Sequence, residues 1–404
     1  MTEARLPDAD WRHRPGLDRL LLALGAANGE ARFVGGAVRD SLLGQNVVDV
    51  DIATVHLPEE VIKRLKAAGI KAVPTGIAHG TITAVLDGWP AEITTLRRDV
   101  STDGRRATVA FTTDWHEDAA RRDFTMNALY ADPLTSAVHD YFDGVADLHD
   151  GRVRFIGKAE DRIAEDHLRI LRYFRFLARF GTGVPDVQAY GACKGMANSL
   201  MALSRERIAD ELLKLLGTAD PVPALRLMVE GEILLPVLPE IDAKGVERLA
   251  TLLAREAAAG IAGAPLRHLC ALLPPDAAIG DAVAAPLKLS NKARKRIATA
   301  LSPMADYPTA EALAYRVGME GALDRLLLAP DVDPQIVTAV ASWQPPHFPI
   351  SGAALIKRGL TPGPDVARAL HAVEDQWVAE GFPDADSVDR IADQIVSKFQ
   401  RARQ

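Results

Sequence analysis

Strand-like runs lie in the first hundred residues, long helical runs follow from 160, and no strands are read beyond 217, so the sequence predicts an α/β N-terminal part followed by an all-α remainder. Three observations carry this. Short alternating runs at 47–53, 81–86 and 91–96 read as strands. Long runs with helical character lie at 160–180 and 203–216. Beyond 217 the chain is rich in Ala and Leu, with prolines at 221, 223, 236 and 239, which gives short helices and no strands.

Taken in order, Pro15 opens a helix over 15–29. Phe33-Val34 end a short strand, Gly35-Gly36 turn the chain, and 37–43 form a helix stopped by Gly44. The run VVDVDIA at 47–53 follows. Side chains two apart on a strand share a face. Asp49 and Asp51 therefore point one way, and Val48, Val50 and Ile52 point into the core. Paired carboxylates raise each other's pKa unless a cation neutralises them, and an oxygen-only site suits Mg²⁺. A Gly-Gly turn entering a helix offers N–H groups to a phosphate, which Arg39 can also reach. Each feature alone is as well explained by a solvated turn; together they describe phosphoryl transfer. The spacing is not that of an EF-hand, and no GxxxxGK[ST] occurs.

Pro58 to Gly69 reads as an amphipathic helix with acids at its start. The runs 81–86 and 91–96 flank Gly88 as a hairpin, and Glu92 is either a third carboxylate for the Asp pair or a solvated strand acid. Polar residues 98–106 read as a mobile loop. RRDFTMNAL follows from Arg121. Arg121 and Arg122 suit phosphate, and Asp123 and Asn127 suit sugar hydroxyls; Asp123 also reads as the cap of a helix starting at Phe124. One long helix is expected over 160–180, with Asp166, Arg169, Arg172 and Arg175 as a stripe. Neighbours at i and i+3 touch, so Asp166 and Arg169 are a salt bridge or a paired recognition element. Ser204 reads as the N-cap of the helix at 203–216, Pro364 starts a helix, and 387–404 forms the terminal one.

Composition narrows the class. Over 404 residues, 48% hydrophobic and 25% charged content fits a globular protein of several domains. No apolar run reaches a membrane span, and no signal-peptide pattern opens the chain, so a cytoplasmic protein without a membrane partner is expected. Cys193 and Cys270 lie far apart and suggest neither a zinc site nor a disulfide framework. The net charge of −7 argues against a generic nucleic-acid coat. One basic run stands out: Lys288, Lys292, Arg294, Lys295 and Arg296 form either a solvated helix face or a phosphate-backbone contact.

The stretches GGAVRDSLLGQNVVDVDIAT, HGTITAVLDGWPAEITTLRRD, RRDFTMNAL, DGVADL, EDHLRILRYFRF and SRERIADELLKL resemble, in order, the motifs of bacterial class II tRNA nucleotidyltransferases. These are the CCA-adding enzymes, related to bacterial poly(A) polymerases. The match is dense over about 30–216 and looser beyond. The resemblance implies a palm-like α/β nucleotidyltransferase head at 1–150, a helical neck at 151–217, and an all-α body and tail binding tRNA at 218–404. It implies Mg²⁺-dependent, template-independent addition of C, C and A to tRNA from CTP and ATP, and indicates no protein partner. By the same resemblance, Asp49 and Asp51 are the metal ligands and Glu92 the third acid. Gly36 and Arg39 contact the triphosphate, and Arg122, Asp123 and Asn127 the ribose and phosphates. Asp166 and Arg169 select the base, and Arg172 and Arg175 add nucleotide contacts.

Base selection has its own chemistry. Cytosine and adenine both present an amine donor beside a ring-nitrogen acceptor, and guanine and uracil present the reverse. A carboxylate beside a guanidinium accepts from the first and donates to the second, so a wrong base leaves polar groups unpaired. The sequence run that marks poly(A) polymerases is replaced by GIAHGT at 76–81, and no second His-Asp phosphohydrolase motif occurs. An A-adding tRNA enzyme or poly(A) polymerase on this scaffold is the rival reading. More remote are a non-catalytic tRNA-binding protein and an Asp-x-Asp sugar transferase.

Overall fold

The computed structural model describes residues 4–103, 106–302 and 307–401. They form two compact units, Met1–Pro239 and Glu240–Gln404.

In the first unit the order is α1 (Leu17–Ala23), β1 (Ala31–Val34), α2 (Gly36–Leu42), β2 (Val50–Thr54), α3 (Pro58–Ala67), β3 (Lys71–Gly76), β4 (Thr81–Leu86) and β5 (Trp89–Thr95). It continues with β6 (Arg97–Asp103), β7 (Arg106–Phe111), α4 (Trp115–Ala120), β8 (Leu129–Ala131), β9 (Val138–Asp140) and α5 (Gly144–His149). Helices α6 (Ala159–Glu165), α7 (Arg169–Phe180), α8 (Val187–Gly195), α9 (Arg205–Leu216) and α10 (Val222–Glu230) complete it. Among the described residues, seven strands form one mixed sheet in the order β3-β4-β5-β2-β1-β8-β9. The pair β2–β5 is parallel and its central neighbours are antiparallel. Phe33, Ile52, Ile82 and Ile93 are almost fully buried along these strands. Each such side chain contributes about 1.5–3 kcal/mol by leaving water.

Four expectations are corrected. The helix expected at 15–29 stops at Ala23, because Gly25 takes φ +73° and only a short 3₁₀ turn, Ala26–Asn28, follows. The strand expected from Val47 starts at Val50, and Val48 is 69% exposed rather than in the core. The Arg14 guanidinium donates to the carbonyls of Val47 (2.7 Å) and Val48 (2.8 Å), satisfying them outside any strand ladder. The loop expected at 98–106 is instead the ribbon β6–β7, whose backbone pairing does not require an apolar face; residues 104–105 at its tip lie outside the described residues. The helix expected at 160–180 is two helices. Asp166 is extended (φ −152°, ψ 107°), and its carboxylate accepts from the Leu168 backbone N–H (3.1 Å), which ends α6 before α7 begins.

The second unit is helical, with α11 (Ala243–Ala259), α12 (Pro265–Leu272), α13 (Ala277–Ala284), α14 (Asn291–Ala300) and α15 (Ala310–Val317). Then come α16 (Met319–Leu328), α17 (Pro334–Ser342), α18 (Gly352–Lys357), α19 (Pro364–Ala379) and α20 (Ala385–Arg401). Trp377, Leu355, Val373 and Val388 anchor a core between α18, α19 and α20. Among the described residues no helix is long and apolar enough to cross a membrane.

Candidate active site

The site grows from the β1–α2 turn. Gly35 takes φ +63°, and a Cβ there would lie 3.5 Å from Arg122 Nη1 and 3.6 Å from the Asn127 carbonyl. A Cβ on Gly36 would lie 3.7 Å from Arg39 Nη2 and 4.0 Å from Asp51 Oδ2, so this turn opens onto both residues.

Asp51 on β2 is in parallel register with Glu92 on β5, which places both carboxylates on one face. Asp49 sits at the bend just before β2 and is exposed. Burial pushes the Asp51 carboxyl up to about 6, and the charges of Glu92 and Asp49 push the same way against Arg122 and Arg39. Among the described residues, no three His, Cys, Asp or Glu side chains form a ready-made metal cage. That suits a cation held by one or two carboxylates plus substrate phosphates better than one held by protein alone.

Beside these acids runs a chain of charged hydrogen bonds. Arg39 is 6% exposed, packs on the Phe180 ring at 4.3 Å and donates to Asn127 Oδ1 (2.5 Å). Asn127 Nδ2 donates to Asp123 Oδ1 (2.9 Å), and Arg172 donates to Asp123 Oδ2 from Nε (2.8 Å) and Nη2 (2.5 Å). Burial works against ionising Asp123, yet Arg172 and Asn127 hold it at about 2. Asp123 also accepts from the Phe124 N–H, and only a 3₁₀ turn, Thr125–Asn127, follows instead of a helix from Phe124. Arg175 donates to Glu211 (2.7 Å) on α9.

Arg122 donates to Tyr130 Oη (3.1 Å) and Asp118 Oδ2 (3.1 Å). Asp118 is 1% exposed, also accepts from Tyr130 and Arg121, and is held at about 2 despite burial by the two guanidiniums.

The Arg169 N–H donates to the Asp166 carbonyl (3.0 Å), but their side chains are not each other's partners, which corrects the simple i, i+3 side-chain pair. Asp166 Oδ2 accepts from Arg207 Nη2 (2.7 Å) on α9. Arg169 donates to Glu165 (2.5 Å) and to the carbonyls of Arg162 and Arg121. Sequence reading missed Asp118, Glu165, Arg207 and Glu211. Helical spacing signals Asp118 with Arg121 and Arg122, and Glu165 with Arg169. Arg207 and Glu211 pair across distant helices, and no local pattern marks them.

The basic run is split. Arg294 is bonded to Asp281 (2.7 Å), and Arg296 to Asp324 (2.6 Å) and Glu320. Lys288, Lys292 and Lys295 are exposed.

Residues 31–154 match the family model described as Poly A polymerase head domain, and 186–244 match one described as Probable RNA and SrmB- binding site of polymerase A. The chain is 35% identical to the mitochondrial CCA tRNA nucleotidyltransferase 1 of Mus musculus, covering 91% of this chain and 87% of that protein. It is 33% identical to the CCA-adding enzyme of Lacticaseibacillus paracasei, covering 90% and 92%. The fold superposes on the Bacillus stearothermophilus CCA-adding enzyme in complex with CTP with a TM-score of 0.74, at 28% identity, over 96% of this chain and 100% of that one. With a seven-stranded head, helices beyond it, and relatives aligned over nearly their whole length, the chain belongs to the family of CCA tRNA nucleotidyltransferases.

Proposed function

We propose that this protein completes tRNA 3′ ends by adding C, C and A from CTP and ATP without a nucleic-acid template. The observation that carries the chemistry is Asp51 in register with Glu92, two carboxylates side by side on β2 and β5, with the Asp51 pKa raised to about 6 by burial and by Glu92 although Arg122 and Arg39 act against the rise. Asp49 and Asp51, with the substrate phosphates, would hold the divalent cation this enzyme class generally uses, here Mg²⁺, which would neutralise phosphate charge and activate the tRNA 3′ hydroxyl, and Glu92 is the third acid beside them.

The chain's own residues do the rest. The Gly35-Gly36 turn admits the triphosphate, and Arg39 and Arg122 meet its charge. Asp123 and Asn127 address the ribose, with Arg172 fixing the Asp123 carboxylate. Asp166 accepts from the exocyclic amine of C or A, and Arg169 donates to the ring nitrogen. Arg207 and Glu165 set the direction of those two side chains, and Glu211 sets Arg175. The exposed Lys288, Lys292 and Lys295 meet the tRNA backbone, and Arg294 and Arg296, bonded to Asp281, Asp324 and Glu320, also serve the C-terminal unit itself. The proposed head, neck and body-tail limits are 1–150, 151–217 and 218–404.

The test incubates the protein with tRNA lacking its CCA end, Mg²⁺ and each labelled NTP. Incorporation from CTP, then from ATP, with UTP and GTP refused, is the expected result. Incorporation from ATP alone on this substrate would transfer the assignment to an A-adding enzyme, and none at all would remove catalysis.

A further inference from the structure

Among the described residues, the buried charges of the C-terminal unit are neutralised in sets, with one exception. Arg267 lies between Glu256 (2.5 Å) and Asp324 (2.7 Å), and His268 Nε2 is 2.9 Å from Glu256. Arg296 joins Asp324 (2.6 Å) to Glu320. Arg325, the next residue along α16, is only 4% exposed, and its Nε is buried without a hydrogen-bond partner. What the guanidinium does meet among the described residues is the Tyr307 ring, whose centroid lies 5.1 Å from the guanidinium carbon. A buried guanidinium N–H without an acceptor is strongly unfavourable, and no described residue pairs Arg325 with an anion, so this position suits a negative group.

Arg325 borders a cavity of about 610 Å³ lined also by Leu252, Leu301, Leu327, Arg248 and Arg255. That is within the usual size of a small-molecule site, roughly 300–1,000 Å³, and the mix of apolar walls with a few charged groups is the usual composition. Arg248 donates to the carbonyls of Ala271 (2.9 Å) and Leu273 (2.8 Å), and Arg255 to that of Leu327 (3.2 Å). These N–H groups donate to backbone carbonyls, which carry no net charge, so the positive charge of both guanidiniums remains. No acid lines the cavity among the described residues.

We propose that this cavity binds a small amphipathic anion, its carboxylate accepting from Arg325 and its apolar body lying against Leu252, Leu301 and Leu327. Charge and apolar body are both required: the guanidinium selects against neutral molecules, and the leucines against small inorganic anions. The site is independent of the nucleotide-adding residues and assigns the C-terminal unit a ligand of its own.

Isothermal titration of the full-length protein with decanoate, with decanol as the uncharged control, tests this. Decanoate is expected to bind saturably at one site, and decanol about tenfold or more weakly. Arg325→Met is expected to lose about tenfold or more in decanoate affinity and, without ligand, to melt above the wild type, because it removes a buried unpaired charge. Absence of saturable decanoate binding to the wild type would overturn the proposal, as would equal affinity for decanol. A variant that melts below the wild type would make Arg325 a structural residue and overturn it too.

Discussion

Two sets of carboxylates in the N-terminal unit meet opposite fates. Asp118 and Asp123 are 1% and 8% exposed, yet guanidiniums hold both at about 2. Asp51 is pushed by burial, Glu92 and Asp49 up to about 6. Burial alone would raise all three, so the neighbours decide the outcome. Guanidiniums outweigh burial at the first set, whereas at Asp51 burial and the neighbouring acids outweigh Arg122 and Arg39.

The contrast is tested most severely at Asp49 and Asp51. Asp49→Ala or Asp51→Ala is expected to lower nucleotide addition on the order of a thousandfold or more, since cation stabilisation of developing charge is worth several kcal/mol and each 1.36 kcal/mol is tenfold. Gel-shift measurement of tRNA binding should be unchanged. Substantial turnover in either variant at saturating Mg²⁺ would remove both residues from the reaction.

Removing the charge of Asp118 or Asp123 should act on stability. Asp118→Asn or Asp123→Asn leaves a buried guanidinium unpaired and is expected to cost about 3–5 kcal/mol in denaturant unfolding. The pH dependence follows from the sign. The folded pKa of each is depressed, so its contribution is present above the unfolded value near 4 and is lost as pH falls towards 2. A loss below about 0.5 kcal/mol would mean that these pairs do not hold the fold.

Base selection divides the site more finely. Asp166→Ala and Arg169→Ala are each expected to relax discrimination against UTP and GTP about tenfold, the worth of one charge-assisted hydrogen bond. The double variant should be less than additive because both residues hold one base. Arg207→Met should relax discrimination less than Asp166→Ala, with Arg207→Lys restoring part of it, since Arg207 only orients the carboxylate. Wild-type selectivity in all of them would make the cluster structural. The smallest expected effect lies in the C-terminal unit. Neutralising Lys288, Lys292 and Lys295 to Gln should weaken tRNA binding uniformly and reduce the salt slope by about one for each phosphate no longer neutralised. An unchanged slope would return these lysines to the solvated surface.

Much of this was legible in the sequence because its signals are local. The Gly35-Gly36 turn, the Asp49-x-Asp51 spacing and the 81–96 hairpin are each written within a few residues. Glu92 falls beside Asp51 because a short strand places it there. What escaped depends on distance or on competition. Asp123 meets Arg172, Arg175 meets Glu211, and Asp166 meets Arg207 only after helices pack. The break at Asp166 was hidden because flanking helical periodicity is continuous, while the Asp166 side chain competes for the Leu168 N–H. Ribbon β6–β7 was hidden because backbone pairing leaves no apolar alternation to read.

The proposed function makes Asp51 an acid held at a cost and relieved by a cation, and the stability of the fold tests this most directly. The folded pKa of Asp51 is raised, so its contribution is present below the unfolded value near 4 and is lost as pH rises through about 6. At pH 8 without divalent metal, Asp51→Asn is therefore expected to unfold at higher denaturant than the wild type, by about 1–3 kcal/mol. Mg²⁺ should stabilise the wild type and leave the variant nearly unmoved. A variant less stable than the wild type at pH 8, or an equal Mg²⁺ effect on both, would contradict that role for Asp51.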